Sequence, residues 1–153
     1  MSGAPAGVPA VMPHLGVRDA AAAIEFYKQA FGAVEGERLT APDGSIAHAA
    51  FEIGGSMVML AEENPEWGNF APPTLGGTTV RLHLYVDDVD AVFARALALG
   101  AKERIPVADQ FYGDRSGRLE DPFGHLWIVS TRKEQVPREE MQRRFDAMMA
   151  TED

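Results

Sequence analysis

A segment near the start of the chain returns 69 positions later. The run HLGVRD at residues 14–19 matches HLYVDD at residues 83–88, with an acidic residue in the same place after the apolar stretch. Gly55 and Gly124 show the same offset, whereas the glycines that end the two predicted helices, Gly32 and Gly100, are 68 positions apart. The loops of the two copies must therefore differ in length by one residue between these matched positions. The repeat predicts two copies of one supersecondary unit within the chain.

Each copy has the pattern of a strand, a helix and three further strands. In the first copy, residues 11–17 predict a strand, and Asp19 lies at an N-cap position before a helix that ends at Gly32. Three short β-type runs separated by turn signals follow, at residues 33–39, 46–53 and 57–61. In the second copy, a strand at 80–86 and a helix at 89–99 restart the order. The pattern predicts two βαβββ modules.

Composition divides the chain into a tail, one domain and an extension. Residues 1–10, rich in Gly, Ala and Pro, predict a flexible tail, and residues 11–131 predict a single domain. The domain comprises module one, a linker rich in Pro and Gly, and module two, at residues 11–61, 62–78 and 79–131. Residues 132–153 predict a C-terminal helical extension that packs by an apolar stripe. The stripe consists of Met141, Phe145, Met148 and Met149.

The charge and residue usage exclude several classes of protein. The chain has 14 Lys and Arg against 23 Asp and Glu, and this net charge of −9 repels phosphate backbones and anionic lipid headgroups. We therefore expect neither nucleic acid nor a membrane as a partner. The chain has no cysteine, which excludes a disulfide framework, a thiolate metal site and a cysteine nucleophile. No signal peptide or membrane-length apolar run is visible, so a cytoplasmic location is expected.

Four segments are typical of one known superfamily. They are DAAAAIEFYKQAFGA at 19–33, IAHAAFEIGG at 46–55, ENPEWGNFAPPTLGG at 63–77 and DQFYGDRSGRLEDPFGHLW at 109–127. Through them the chain resembles the vicinal oxygen chelate superfamily, which includes glyoxalase I, bleomycin-resistance proteins and extradiol dioxygenases, and within it the PhnB-like branch. The resemblance implies an α+β fold. Two βαβββ modules would form an incompletely closed, mixed sheet with a concave cleft for a small molecule, followed by a C-terminal helix.

The resemblance also points to four positions that hold metal ligands in metal-using members. They lie on the first and last strand of each module and correspond to Met12, Met59, Arg81 and Ile128. A thioether, an alkyl group and a guanidinium cannot replace the imidazole and carboxylate donors that a divalent ion needs. We therefore expect no metal ion and no other cofactor.

Two histidines leave an alternative open. His14 and His83 each lie two residues beyond a lost ligand position, and so on the same face of the strand. They could form a relocated site for a divalent metal ion, with Glu52 or Glu62 as a carboxylate ligand. The simpler interpretation is that both are hydrogen-bonded histidines of the cleft or core. Structural roles are also expected for the two remaining histidines, at positions 48 and 125.

Seven residues are candidates for contacts with a ligand. Rings in the loops beside a concave sheet could stack on a planar molecule, and Arg81 could pair with an acidic group on it. The same rings could instead form small cores beneath the loops. The candidates are His14, Trp67, Arg81, His83, Tyr85, Phe111 and Tyr112. They predict metal-independent binding of a small, partly aromatic molecule, such as sequestration of a toxic or antibiotic compound.

Two other functions remain compatible with the sequence. One is a metal-dependent lyase, isomerase or dioxygenase of the glyoxalase type with its metal at His14 and His83. The other is an interaction module whose cleft is filled by its own side chains. No catalytic residue can be assigned, because no Ser/His/Asp arrangement, phosphate-binding glycine loop or nucleotide fingerprint is present. The resemblance further predicts a homodimer.

Overall fold

The computed structural model describes residues 3–151, in which the strands form two separate four-stranded sheets. One compact unit contains the chain up to Thr79 together with Asp121–His125, and the other contains Val80–Glu120 and the chain from Leu126 onward. Both sheets are mixed and open, and helices accompany each, which confirms the predicted α+β class. The first two residues of the expected tail and the last two of the expected extension lie outside the described part of the chain.

The first unit has the predicted order of a strand, a helix and three strands. Its elements are β1 (His14–Val17), α1 (Ala20–Phe31), β2 (Val34–Thr40), β3 (Ile46–Ile53) and β4 (Ser56–Glu62). The strands lie in the order β1-β4-β3-β2, and only the β1–β4 pair is parallel. The first strand is shorter than predicted because Pro13 has no N–H to donate, although its carbonyl accepts from Met59 N at 3.0 Å.

The first helix begins and ends where the sequence indicates. The Asp19 side chain accepts a hydrogen bond from Ala22 N, and Gly32 adopts the left-handed conformation at φ 72° that ends the helix. The Tyr27 ring is fully buried and stacks on Phe51 of β3 with the ring centroids 5.2 Å apart. Because successive strand side chains point to opposite faces, the neighbours of Phe51 face away from α1.

The linker after β4, predicted only as a segment rich in Pro and Gly, contains two short helical turns. A 3₁₀ turn spans Pro65–Trp67, and a one-turn helix, α2, spans Pro72–Leu75. Both place a proline in the first turn, where the missing N–H costs no helical hydrogen bond. Asn64 and Asn69 form a bridge with each other, with N···O distances of 2.8 and 3.0 Å. The prolines therefore start these turns instead of preventing them.

The second unit repeats the order of the first. It contains β5 (Arg81–Tyr85), α3 (Val89–Ala98), β6 (Lys102–Asp109), β7 (Asp114–Glu120) and β8 (Leu126–Arg132). Its strands lie in the order β5-β8-β7-β6, again with one parallel pair, β5–β8. Asp88 caps α3 by accepting from Ala91 N. The segment Asp121–His125 lies within the range predicted for module two but belongs to the first unit.

The terminal helix α4 (Arg138–Ala150) packs through only a small part of its apolar stripe. No described residue of α4 is buried, and three of the stripe residues are well exposed, Phe145 at 40%, Met148 at 38% and Met149 at 45%. Polar contacts hold the helix instead, since Arg144 donates to Phe111 O at 3.1 Å and pairs with Glu134 at 2.8 Å. The predicted apolar packing is therefore limited to Phe145, whose ring centroid lies 5.7 Å from that of Phe111. No helix within residues 3–151 is long and apolar enough to cross a membrane.

Candidate functional site

The face of the first sheet that points away from α1 carries two histidines and a methionine. His14 of β1 lies opposite Met59 of β4, and Met59 lies opposite Ala50 of β3. His48 is two residues before Ala50 on the same face of β3. The ring centroids of His14 and His48 are 5.8 Å apart, with the ring planes tilted by 36°. This face therefore combines apolar side chains with two neighbouring imidazoles.

A pocket of about 760 Å³ opens at one end of this face, and we call it the Trp67 pocket. Trp67 lies in the turn after β4 and is 77% exposed, so most of its indole ring is accessible to a ligand. The other lining residues that bear functional groups are His14, Asp43, Ser45, Glu62, Glu63, Asn64 and Asn69. The pocket thus combines polar side chains with apolar surface and one large exposed aromatic ring.

The wall of the Trp67 pocket depends on a close approach between β1 and the linker. A Cβ atom at Gly16 would lie 2.2 Å from Phe70 O, so only glycine fits at this position of β1. Asn69 Nδ2 donates to Glu62 O at 2.9 Å and ties the same loop to β4. His125 Nε2 donates to Gly16 O at 2.9 Å and ties the turn that carries it to β1.

A second pocket, of about 510 Å³, is largely apolar, and we call it the methionine pocket. Met12, Met57 and Met59 line it together with Val34, Phe51 and His48, and three carboxylates belong to its lining, Glu35, Glu37 and Glu52. Two of the four positions that the resemblance marks as metal ligands, Met12 and Met59, are therefore part of an apolar wall. His14 lines the Trp67 pocket and His48 lines the methionine pocket. The two neighbouring imidazoles therefore lie where the two pockets meet.

Burial shifts the proton affinity of two groups in the Trp67 pocket. The pKa of His14 lies below its ordinary value of 6.5, chiefly because burial penalises the charged ring and secondly because His48 repels it. The pKa of Glu62 lies above its ordinary value of 4.5, chiefly through burial, although the hydrogen bond from Ala20 N acts in the opposite direction. At neutral pH the His14 imidazole is therefore mainly uncharged.

The donor groups on this face do not fit a divalent metal ion. Within residues 3–151, no group of three or more His, Asp or Glu side chains is close enough together to hold one. The nearest imidazole to His14 in the first unit is His48, and Glu62 already accepts a hydrogen bond from Ala20 N. Two imidazoles without a carboxylate supply too few donors for a metal centre. His83 is instead hydrogen-bonded through Nε2 to Ser130 Oγ at 2.8 Å.

The second unit carries a polar network that the sequence analysis did not foresee. The rings of His83 and Tyr85 stack at 4.7 Å, and Tyr85 donates to Asp114 Oδ2 at 2.7 Å. Asp114 is 1% exposed and pairs with Arg132. The hydrogen bond between Tyr85 and Asp114 raises the pKa of Tyr85. Asp114 does not pair with its sequence neighbour Arg115, which pairs with Asp90 and Asp109 instead. Strand pairing sets Asp114 opposite Arg132, a relationship with no local sequence signal.

The predicted ligand contacts fall into separate groups. His14 and Trp67 line the Trp67 pocket, whereas the other five candidates belong to the second unit and line neither pocket. Arg81 is exposed at the start of β5, with no ion-pair partner among residues 3–151. Phe111 packs against Tyr112 at 5.1 Å and Phe145 at 5.7 Å. Phe111 therefore belongs to a small core beneath a loop, the second of the two interpretations given to these rings.

Several lining residues of the two pockets were missed from the sequence. Asp43, Glu63 and Asn64 come from loops, where no periodic pattern indicates the direction of a side chain. Glu37 and Met57 come from strands, and the alternation of side chains along β3 and β4 would have placed Met57 on the same face as Met59. The sequence thus contained a pattern that could have identified Met57, whereas it contained none for the loop residues.

Comparison with known proteins identifies relatives of the chain. Residues 8–129 match the model of the Glyoxalase/Bleomycin resistance protein/Dioxygenase superfamily. An uncharacterized protein of Mycobacterium tuberculosis is 47% identical over 137 residues, which cover 88% of this chain and 81% of that protein. The similarity extends over both units.

Solved structures show the same fold. The crystal structure of TioX from a Micromonospora species is similar with a TM-score of 0.63 and 31% identity, covering 81% of this chain and 99% of that one. The fosfomycin resistance protein FosX from Listeria monocytogenes, solved with Mn(II) and sulfate, matches with a TM-score of 0.63 and 20% identity. That match covers 95% of this chain and 98% of FosX. At this identity, FosX supports the fold alone.

Proposed function

Because the chain belongs to the glyoxalase/bleomycin resistance protein/dioxygenase superfamily, we propose that it binds a small, partly aromatic organic molecule without a metal ion. The binding surface is the face of the first sheet that carries the Trp67 pocket and the methionine pocket. Members of the superfamily include metal-dependent enzymes and proteins that bind antibiotics, so a family match alone does not choose between these functions.

One observation carries the metal-independent proposal. Two positions at which the resemblance implies metal ligands are occupied by Met12 and Met59, and both side chains line the apolar methionine pocket. A thioether is a soft donor that suits neither zinc nor the hard divalent cations, whereas it packs readily against aromatic and aliphatic groups. The positions that would hold a metal therefore serve as a surface for an organic ligand.

The Trp67 ring supports an aromatic component in the ligand. An indole that is 77% exposed beside a pocket of this volume offers a large, rigid surface for offset stacking. The proposed contacts are limited to His14 and Trp67 of the seven sequence candidates, together with Met12 and Met59. We further propose that the chain belongs to the PhnB-like branch and sequesters a toxic or antibiotic compound in the cytoplasm.

The neighbouring imidazoles of His14 and His48 favour a second candidate, a metal-dependent lyase, isomerase or dioxygenase of the glyoxalase type. Such a site needs at least one more donor than this pair supplies, and the ligand itself would have to provide it. The two candidates differ in one measurable property, since only the enzyme requires a metal ion for ligand binding.

A thermal-shift screen of chelator-treated protein against aromatic compounds tests the proposal. Hits are then titrated against Trp67→Ala and Met59→Glu, with Tyr112→Ala as the matched control because it removes a ring that lines neither pocket. Loss of a stacking contact should weaken binding by about two- to tenfold in Trp67→Ala, and Tyr112→Ala should bind like the parent protein. If the affinity of every hit is the same for the parent protein, Trp67→Ala and Met59→Glu, the ligand binds elsewhere.

A further inference from the structure

We propose that the ligand of the first unit is a planar aromatic cation, such as a quaternary or protonated nitrogen heterocycle. The inference rests on the proposed function and adds the charge of the ligand. It differs from the sequence-based expectation of an acidic ligand, which depended on Arg81. That residue belongs to the second unit and lines neither pocket.

The first argument is the charge of the two pockets. Neither lining contains a lysine or an arginine. Six carboxylates are present, Asp43, Glu62 and Glu63 in the Trp67 pocket and Glu35, Glu37 and Glu52 in the methionine pocket. The carboxylates of both pockets would repel an anionic ligand, whereas they would attract a cation.

Most of these carboxylates are not neutralised by the protein. Glu35 pairs with Lys28 and Arg38, and Glu63 lies 3.5 Å from Arg18. The remaining four, Asp43, Glu62, Glu37 and Glu52, have no ion-pair partner in the described part of the chain. His14 does not compensate at neutral pH, because burial and repulsion by His48 keep it mainly uncharged. The pockets therefore have a net negative charge available to a ligand.

The second argument is the exposed indole of Trp67. The negative face of an aromatic ring attracts a cation, and among side chains the indole does so most strongly. In the Trp67 pocket this ring shares the lining with Asp43 and Glu62, so one ligand could stack on the indole while its charge is attracted to a carboxylate. The methionine thioethers next to the pocket add a polarisable apolar surface for the rest of the ring system.

Three probes of similar size and different charge test the inference. N-methylquinolinium is the cation, methylnaphthalene the neutral analogue and naphthoate the anion, and each is titrated at low and physiological salt. Glu52→Gln removes one charge from the methionine pocket and Glu62→Gln removes one from the Trp67 pocket, and Glu52 has no ion-pair partner within residues 3–151. Glu103→Gln, in β6 of the second unit, removes the same charge from a residue that lines neither pocket.

The expected result is that the cation binds about tenfold more tightly than methylnaphthalene, with naphthoate weakest. Glu52→Gln and Glu62→Gln should each weaken the cation by about two- to fivefold and leave methylnaphthalene unchanged. Higher salt should reduce only the preference for the cation. Glu103→Gln should have no effect.

Three other results would overturn the inference in distinguishable ways. If naphthoate or methylnaphthalene binds at least as tightly as the cation, and Trp67→Ala weakens it, the proposed function stands and the assigned charge is wrong. If Glu103→Gln weakens the cation as much as the pocket variants do, only the overall charge of −9 attracts it. If no probe shows binding that depends on Trp67, both the charge and the proposed site are wrong.

Discussion

The hydroxyl of Tyr27 in α1 donates to the carboxylate of Asp121, which lies 94 positions later in the chain. Asp121 is 3% exposed, and its Oδ1 also accepts from Phe123 N and His125 N at 2.9 Å each. Through this bond the turn at Asp121–His125 belongs to the first unit, and His125 reaches Gly16 of β1. The relationship joins the sequence motif DPFGH to the wall of the Trp67 pocket.

Removing the Tyr27 hydroxyl should destabilise the first unit. Tyr27→Phe leaves a buried carboxylate without one donor, so we expect the free energy of unfolding to fall by about 1–3 kcal/mol in chemical denaturation. Tyr112→Phe is the control, because the Tyr112 hydroxyl has no hydrogen-bond partner among residues 3–151, and it should change stability by less than about 0.5 kcal/mol. Equal effects of the two substitutions would show that the bond contributes nothing specific.

The contact between Gly16 and the linker should tolerate no side chain. Gly16→Ala places a Cβ against Phe70 O, and the resulting overpacking should cost about 1–3 kcal/mol of stability. The displaced loop should also weaken any ligand that depends on Trp67. Gly36→Ala is the matched control, since its Cβ would lie at an ordinary 3.5 Å from Ala50 O. A Gly16→Ala protein with parental stability would contradict the close approach of the linker.

The fold could be predicted from the sequence where local chemistry determines it. Asp19 and Gly32 bound the first helix as predicted, because an N-cap oxygen and a left-handed glycine act within one turn. The extent to which the apolar stripe of α4 packs could not be predicted, since Phe145 and its neighbours could face either the protein or solvent at the same helical spacing. Spacing alone does not specify what covers a helix face.

The site could be predicted only in part. His14 followed from the repeat and the period of the strand, and Trp67 from its place in a long linker. The partners of Asp114 and Tyr27 could not be foreseen, because Arg132 and Asp121 lie 18 and 94 positions away and meet them only through tertiary structure. The carboxylates of Asp43 and Glu63 were missed for the same reason, since their position in the pocket depends on loop geometry.

The pKa of His14 provides a test of the geometry of the imidazole pair. Titration followed by NMR should give a value below 6.5, and His48→Gln should raise it part of the way, because burial is the larger cause and remains. Since the pKa of the folded state is below that of the unfolded state, this group stabilises the fold above pH 6.5, and the contribution is lost as pH falls through the folded value. His14→Gln should remove that part of the acid sensitivity. An unperturbed pKa for His14 would contradict the arrangement.

The exposed stripe on α4 leads us to expect a homodimer. Phe145, Met148 and Met149 are between 38% and 45% exposed, and an apolar helix face of this kind is more stable when a second chain covers it. Sedimentation velocity at micromolar concentrations should show a dimer, and the pair Met148→Lys and Met149→Lys should shift it toward monomer. A monomer at every concentration would refute the expectation.

The central claim is that ligand binding on the first sheet requires no metal ion, and one titration tests it most directly. An aromatic hit is titrated into chelator-treated protein and into the same protein supplied with zinc or manganese, with the metal content of each sample measured by mass spectrometry. The predicted result is equal affinity in both samples, with much less than one metal ion per chain in the first. Binding that appears only with about one metal ion per chain, and that disappears together with the metal in His14→Ala, would contradict the claim.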